Sequence, residues 1–256
     1  FDQRKAEVIL ESKRWGKLSL GKGFTASYGS GAVDLSKTSV ISYATIADLA
    51  GSMLFRERDS GDFTDIRIFN AFNSFDGLSR QNRLRYDTAN FGGFRLAASA
   101  ITDDRYDAAL RWGGQGYGLK AAGAAAIANP KFDDTDLQYN GSFSLLHQNT
   151  GLNATLAFGL LDRTDQGDQQ NYFAKVGWLK RFFSVGDTAF SLDYTRSLNL
   201  PTDDDDGFSI AAAAAQQFDK YGAELFALYR LHSLDRDIEP KVEDISVVSI
   251  GTRVKF

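Results

Sequence analysis

Residues 94–112, FRLAASAITDDRYDAALRW, decide how this chain folds. Phe94, Leu96, Ala98 and Ala100 alternate with Arg95, Ala97 and Ser99, and beyond the polar break at Asp103 and Asp104 the side chains of Tyr106, Ala108, Leu110 and Trp112 alternate with Asp107 and Arg111. A period of two in two adjacent runs predicts a pair of antiparallel strands, each with one apolar and one polar face. The same beat runs outward from this pair. Downstream it passes through Leu137 to Leu145, Leu152 to Leu160 and Tyr172 to Trp178, and ends in ISVVSIGTRVKF at Phe256. Upstream it holds Leu84 and Tyr86 against Arg83, Arg85 and Asp87, and returns in RKAEVILES and the run Lys17 to Lys22, which read as a hairpin.

Between that hairpin and Leu78, residues 24–77 lack the alternation. A connection longer than about 15 residues is functional or disordered, and a barrel has a lumen into which it can fold. This stretch is therefore expected to plug or narrow a pore. Ile46 to Ala50 suggests a helical turn, and Met53 to Arg56 and Asp65 to Phe69 suggest short strands or helix.

The 256 residues contain no Pro/Ser linker or charge block, so one domain over 1–256 is expected. The net charge of -4 and the absence of a dense basic run argue against nucleic acid. Zero Cys excludes disulfides, thiol nucleophiles and cysteine metal sites. No apolar run is long enough for a transmembrane helix, yet a transmembrane strand needs only about ten residues with alternate positions apolar.

Three features favour a membrane barrel over a soluble sandwich. Arg, Lys and Asp recur at mid-strand on the polar face, where a dry core would cost several kcal/mol per unpaired ion. Aromatic residues collect toward strand ends, as interfacial girdles require. Connections alternate between short turns (GGQG, HQNTG, FDKYG) and longer acidic loops (ANPKFDDTD, LDRTDQGDQQN, NLPTDDDDG), the pattern of periplasmic turns and extracellular loops. The fold expected is all-β: a transmembrane, antiparallel, up-and-down β-barrel with a long inward-folded loop.

The opening RKAEVILESKRWGKLSLGKG resembles the strand-turn-strand that precedes the constriction loop in Gram-negative general porins, and DLSKTSVISY, RLRYDTANFGGFRLAAS and the terminal Phe256 are similar to the long-loop porins of proteobacteria. Trp15 replaces the commoner Phe, and the P-E-F-G-G core of enteric porins is absent. The resemblance implies a homotrimer of 16-stranded barrels in the outer membrane, with weakly selective diffusive pores and no cofactor. Partners would be outer-membrane lipid, lipopolysaccharide and the assembly machinery that reads Phe256. Thirteen regular strands are counted, an odd number that cannot close antiparallel, so material is expected to be missing; the resemblance makes Arg4 to Ser12 the fourth strand, which implies three strands and any signal peptide before Phe1.

Arg83, Arg85, Arg95, Arg111, Lys120 and Arg253 fall on the polar face, with Arg4 added by family position, and are candidates for the basic wall of a constriction. Asp34, Asp48, Glu57 and Asp59 of the long segment are the candidate acidic side. The run Asp203 to Asp206 lacks the interleaved Gly and distant Glu of a calcium loop, so a solvated loop is expected and no metal site. His147 falls in a turn and His232 near a loop, which leaves no Ser-His or Asp-His constellation for an enzyme inside the barrel. The leading expectation is a passive channel for small hydrophilic solutes, not an enzyme. The alternative is a substrate-specific channel for a sugar or organic anion, and a barrel-embedded enzyme is more remote.

Overall fold

A computed structural model describes residues 3–131 and 134–255. The chain opens with β1 (Ala6–Ser12) and β2 (Gly16–Phe24). The inserted segment follows, containing a 3-10 turn (Ile46–Asp48), β3 (Leu54–Arg56), β4 (Phe63–Arg67) and the single-turn α1 (Ile68–Ala71). The meander then resumes with β5 (Arg80–Asp87), β6 (Phe94–Ile101), β7 (Arg105–Gly116), β8 (Leu119–Asn129), β9 (Thr135–His147) and β10 (Leu152–Arg163). It ends with β11 (Gln169–Phe183), β12 (Gly186–Leu198), β13 (Asp206–Phe218), β14 (Ala223–Asp235) and β15 (Ile245–Val254). Thirteen strands form one antiparallel sheet in which sequence neighbours pair, β2 pairing directly with β5, while β3 and β4 form a separate hairpin. Among the described residues β1 and β15 are the two edges of the sheet and do not pair with each other.

The alternation sorts the side chains as the sequence predicts. Outward positions are apolar and exposed, among them Leu20, Leu84, Leu96, Leu156, Val176, Leu192 and Ile250. Inward positions are polar or small and mostly buried, including Ser99, Asp107, Ser142, Thr155, Asp193 and Ser209. Such inversion is stable only where the outer face meets hydrocarbon. Phe94, Trp112, Trp178 and Phe190 lie on the outer face toward the short-turn end, and Tyr106, Tyr172, Tyr194 and Phe208 toward the other, giving two interfacial margins.

The longer connections are shorter than the sequence suggests. β10 runs on through Arg163, and β12 and β13 leave only residues 199–205 between them. Charge pairing allows the strands to continue beyond the apolar band: Arg163 meets Asp203 at 3.6 Å and Arg196 meets Asp206 at 2.6 Å, so ladder bonds persist where the side chains are already solvated. His232, expected near a loop, sits within β14 and is fully buried, because its position faces inward beneath the inserted segment.

The sheet curls around that segment. Lys120 of β8 and Arg253 of β15 line one cavity together with Asp34, Leu35, Lys37 and Ser39 of the insertion. Alternate residues of the alanine runs face inward, and Ala211, Ala213 and Ala215 are buried. Ile41 and Leu49 of the insertion pack against Ala211, Ala213 and Leu228. These small inner side chains provide the room the insertion occupies.

Candidate functional site: the inserted segment and the lumen wall

The insertion leaves β2 at the loop end, descends to the short-turn end and climbs back. On the way down, Ser99 and Asp107 accept from the Ala26 N–H at 2.8 and 3.2 Å, and Asp107 also accepts from the Ser27 N–H at 2.9 Å. Arg111 donates to the Ala26 and Tyr28 carbonyls at 2.9 and 2.8 Å and to Ser30 at 3.1 Å. Val33 and Leu35 then donate to Ser142 and Ser144 at 2.9 and 3.0 Å. The spacing of two on both sides reflects an extended chain running over inner-face positions of β9, where successive hydroxyls share one face. At the lowest point Lys37 pairs with Asp187, near the start of β12, at 2.8 Å.

The turn upward is held by charge. Lys175, with no exposed side-chain surface, pairs with Asp34 and donates to the Ser42 carbonyl at 2.7 Å. Ser42 donates to Asp193 at 2.6 Å, and Asp193 pairs with buried Arg230 at 2.9 Å. Above this the contact becomes apolar: Ala44, Ile46, Phe55, Ile68 and Phe72 pack against Phe173, Leu234, Ile245 and Val247 of the inner wall. Phe72 lies 5.1 Å from the His232 ring. Burying each large side chain contributes roughly 1.5–3 kcal/mol, whereas ordering backbone costs about 1–2 kcal/mol per residue. A segment of this length therefore needs polar anchors along its whole course as well.

The β3–β4 hairpin reaches the loop end and joins the last long connection. Glu57 bridges Val242, Arg58 N donates to the Lys241 carbonyl at 2.9 Å and Glu243 N to the Arg56 carbonyl at 2.9 Å. The return limb crosses β10 at Gly159, where any Cβ would lie 2.2 Å from the Ser74 carbonyl oxygen. Asp76 then gathers the limbs, accepting from Gly29 N at 3.0 Å, Gly31 N at 2.6 Å and Asn140 at 3.2 Å. Burial pushes the Asp76 carboxyl above the ordinary range, against the two backbone donors and the nearby Arg111 cation. Tyr43 bonds Asp48, and burial together with that carboxylate raises its phenol.

The residues expected from the sequence are placed as follows. Arg85 grips both oxygens of Asp87, at 2.9 and 2.6 Å, and the Thr25 carbonyl at 2.7 Å. Arg83 is 5% exposed and bound to Glu7 and the Phe24 and Gly21 carbonyls, so it braces the wall and presents little charge to the lumen. Arg95 and Lys120 are exposed on inner positions, Arg253 pairs with Glu224, and Arg4 is exposed ahead of β1. On the insertion, Asp48 is exposed inside, Asp34 is buried on Lys175, and Glu57 and Asp59 belong to the hairpin at the loop end. Phe256 lies outside the described residues. Sequence reading missed Asp76, Asp107, Lys175, Asp193 and Arg230. Parity placed Asp107, Lys175, Asp193 and Arg230 on the polar face, but nothing local distinguishes a clamp from a solvated charge, and Asp76 lies in the insertion, where no alternation assigns a face.

A charged and hydroxyl-rich inner wall, an apolar exposed outer face and a long segment folded onto the inner face constitute the architecture of a membrane pore. The family model of Gram-negative porins matches residues 1–237. The chain belongs to the Gram-negative porin family. Among solved structures, this porin is similar to an anion-selective porin from Comamonas acidovorans, with 14% identity and a TM-score of 0.62 over 99% of this chain and 78% of that one. It is also similar to OmpT, an outer membrane protein of Vibrio cholerae, in a trimer form (12% identity, TM-score 0.54, 97% and 78% covered), and to OccD3 of Pseudomonas aeruginosa (11%, 0.53, 96% and 73%). These likenesses concern fold. The comparison with curated proteins gave no match. The porin is an outer-membrane diffusion channel of a Gram-negative bacterium.

Proposed function

We propose that this porin is a passive, weakly selective and non-enzymatic channel for small hydrophilic solutes, working as a homotrimer, with residues 24–77 forming its constriction. The observation that carries this reading is the position of the insertion on the inner wall: Tyr28 and Asp48 are exposed there and Tyr43 and Asp76 half-buried, with Asp76 in the field of Arg111. Acid and hydroxyl beside guanidinium would orient dipolar solutes and disfavour apolar ones, which displace water from the charged wall without replacing its hydrogen bonds. Asp48 of the acidic set and Arg85 and Arg111 of the basic set are the residues assigned this role. Arg95 and Lys120 would extend the basic wall below it.

The non-enzymatic part is supported by the two histidines. His147 bonds the exposed Thr150 hydroxyl in a short turn at 2.7 Å, where among the described residues no carboxylate orients the ring, and His232 is sealed from solvent beneath Phe72. The trimer rests on fold-level analogy with OmpT. The deciding experiment is reconstitution in a planar bilayer with and without Ala32 to Gly51. Discrete, near-ohmic steps at high salt that grow when this segment is removed are expected. Steps of unchanged size would place the constriction elsewhere.

A further inference from the structure

The two mouths of the lumen carry opposite charge. At the short-turn end a cavity of about 310 Å³ is lined by Asp34, Lys37, Lys120, Glu224, Arg253 and Lys255. Its carboxylates are already committed: Asp34 to buried Lys175, and Glu224 to both Arg253 and Lys255. Asp187, just outside, is shared by Lys37 and Arg181. Among the described residues Lys120 has no ion-pair partner, and Lys37, Arg253 and Lys255 keep roughly half their side chains exposed (46%, 46% and 60%). The tip of the insertion creates this site, because only its descent brings Lys37 to the mouth.

At the opposite end the β3–β4 hairpin nearly cancels itself, with Glu57, Asp59, Asp62 and Asp65 against Arg56, Arg58 and Arg67. The connections around it do not. Their arginines are consumed in pairs with Asp203, Asp205 and Asp206. Among the described residues Asp165, Asp204, Asp235 and Asp237 have no ion-pair partner, which leaves this rim acidic.

We propose that this axial polarity, basic at the short-turn mouth around Lys120 and acidic at the long-loop mouth, makes the porin rectify ionic current, with Lys120 and Lys255 as the residues that set its size. A pore with fixed charges of opposite sign at its ends accumulates both ions under one polarity of voltage and is depleted of both under the other. The effect requires the fixed charges to reach across the mouth. The Debye length is about 30 Å at 0.01 M salt and about 3 Å at 1 M, so polarity acts at low salt and vanishes at high salt. The inference rests on the channel reading above and adds direction to it.

The test is the current–voltage curve of the mature full-length protein, added from one side of a planar bilayer so that insertion has one orientation. At about 0.01 M potassium chloride, currents at equal and opposite voltages should differ by about twofold, since mouth potentials of several kT change local ion concentrations by at least that factor. At 1 M the ratio should fall to about one. The Lys120→Gln/Lys255→Gln variant, altered at exposed positions that hold no part of the insertion, should lose most of the asymmetry, and Lys120→Glu should lose more. Symmetric currents at low salt from a conducting protein would overturn the polarity, and unchanged asymmetry in both variants would overturn the assignment of the two lysines. Absence of discrete conductance under all conditions would overturn the channel reading itself.

Discussion

Lys175→Met should release the lower part of the insertion while leaving the barrel assembled. Lys175 has no exposed side-chain surface and Asp34 has 3%, so the pair is shielded from water. Removing one partner of a buried pair costs about 3–5 kcal/mol, because the remaining charge keeps its desolvation penalty and loses its compensation. At about 1.4 kcal/mol per tenfold change, the ratio of clamped to released insertion should fall by roughly 10² to several times 10³. Thr38 and the Ser42 carbonyl lose a donor in the same step, at 3.3 and 2.7 Å in the intact protein. The released tip carries Lys37, so limited trypsin digestion reads the opening as nicking inside the barrel, and single-channel records should gain flicker between conductance levels. Lys175→Met/Asp34→Asn separates pairing from packing. The amide keeps an acceptor for Ser36 N, bound at 2.7 Å, and removes the stranded charge, so the larger part of the protection should return. A single variant as resistant and quiet as the parent would refute the clamp, and a double variant as loose as the single would show that the charge pair is not its basis.

Three further outcomes are expected. Gly159→Ala should displace the return limb, because the new Cβ would lie 2.2 Å from the Ser74 oxygen; the cost of about 1–3 kcal/mol typical of overpacking should appear as faster nicking of the insertion with unchanged barrel content. Burial raises the Asp76 carboxyl, so the folded insertion holds its proton to higher pH than a released one. Anchoring should then weaken as pH rises from the ordinary carboxylate value through the raised one, and Asp76→Asn should flatten this dependence of nicking on pH. Phe256→Ala should lower the yield of folded protein in the outer membrane without changing the conductance of what folds, and a normal yield would count against an assembly role.

The meander itself was legible from residues 94–112 outward, because a barrel wall exposes apolar groups to lipid and polar groups to its interior, and this difference repeats every second residue. Thirteen strands were countable for the same reason, and the short helical and extended pieces of the insertion were visible as local apolar clusters. Sequence also placed Arg85, Arg111 and Lys120 on the inner face by parity. It did not distinguish Arg83, which binds Glu7 and the carbonyls of β2, from Lys120, which has no ion-pair partner among the described residues; that difference depends on which carboxylate or carbonyl a curled sheet brings near. Asp34 read as a lumen acid and is a buried anchor, since its partner Lys175 lies far along the chain. The alanine run of β13 suggests a subunit-packing or lipid-facing surface, yet Ala211 and Ala213 face inward against Ile41 and Leu49, and Gly159 faces Ser74; smallness has meaning only once another segment is known to lie against it. Period and parity are local properties written into neighbouring residues. The path of the insertion and the charge left at each mouth are sums over distant contacts, and only the tertiary structure decides them.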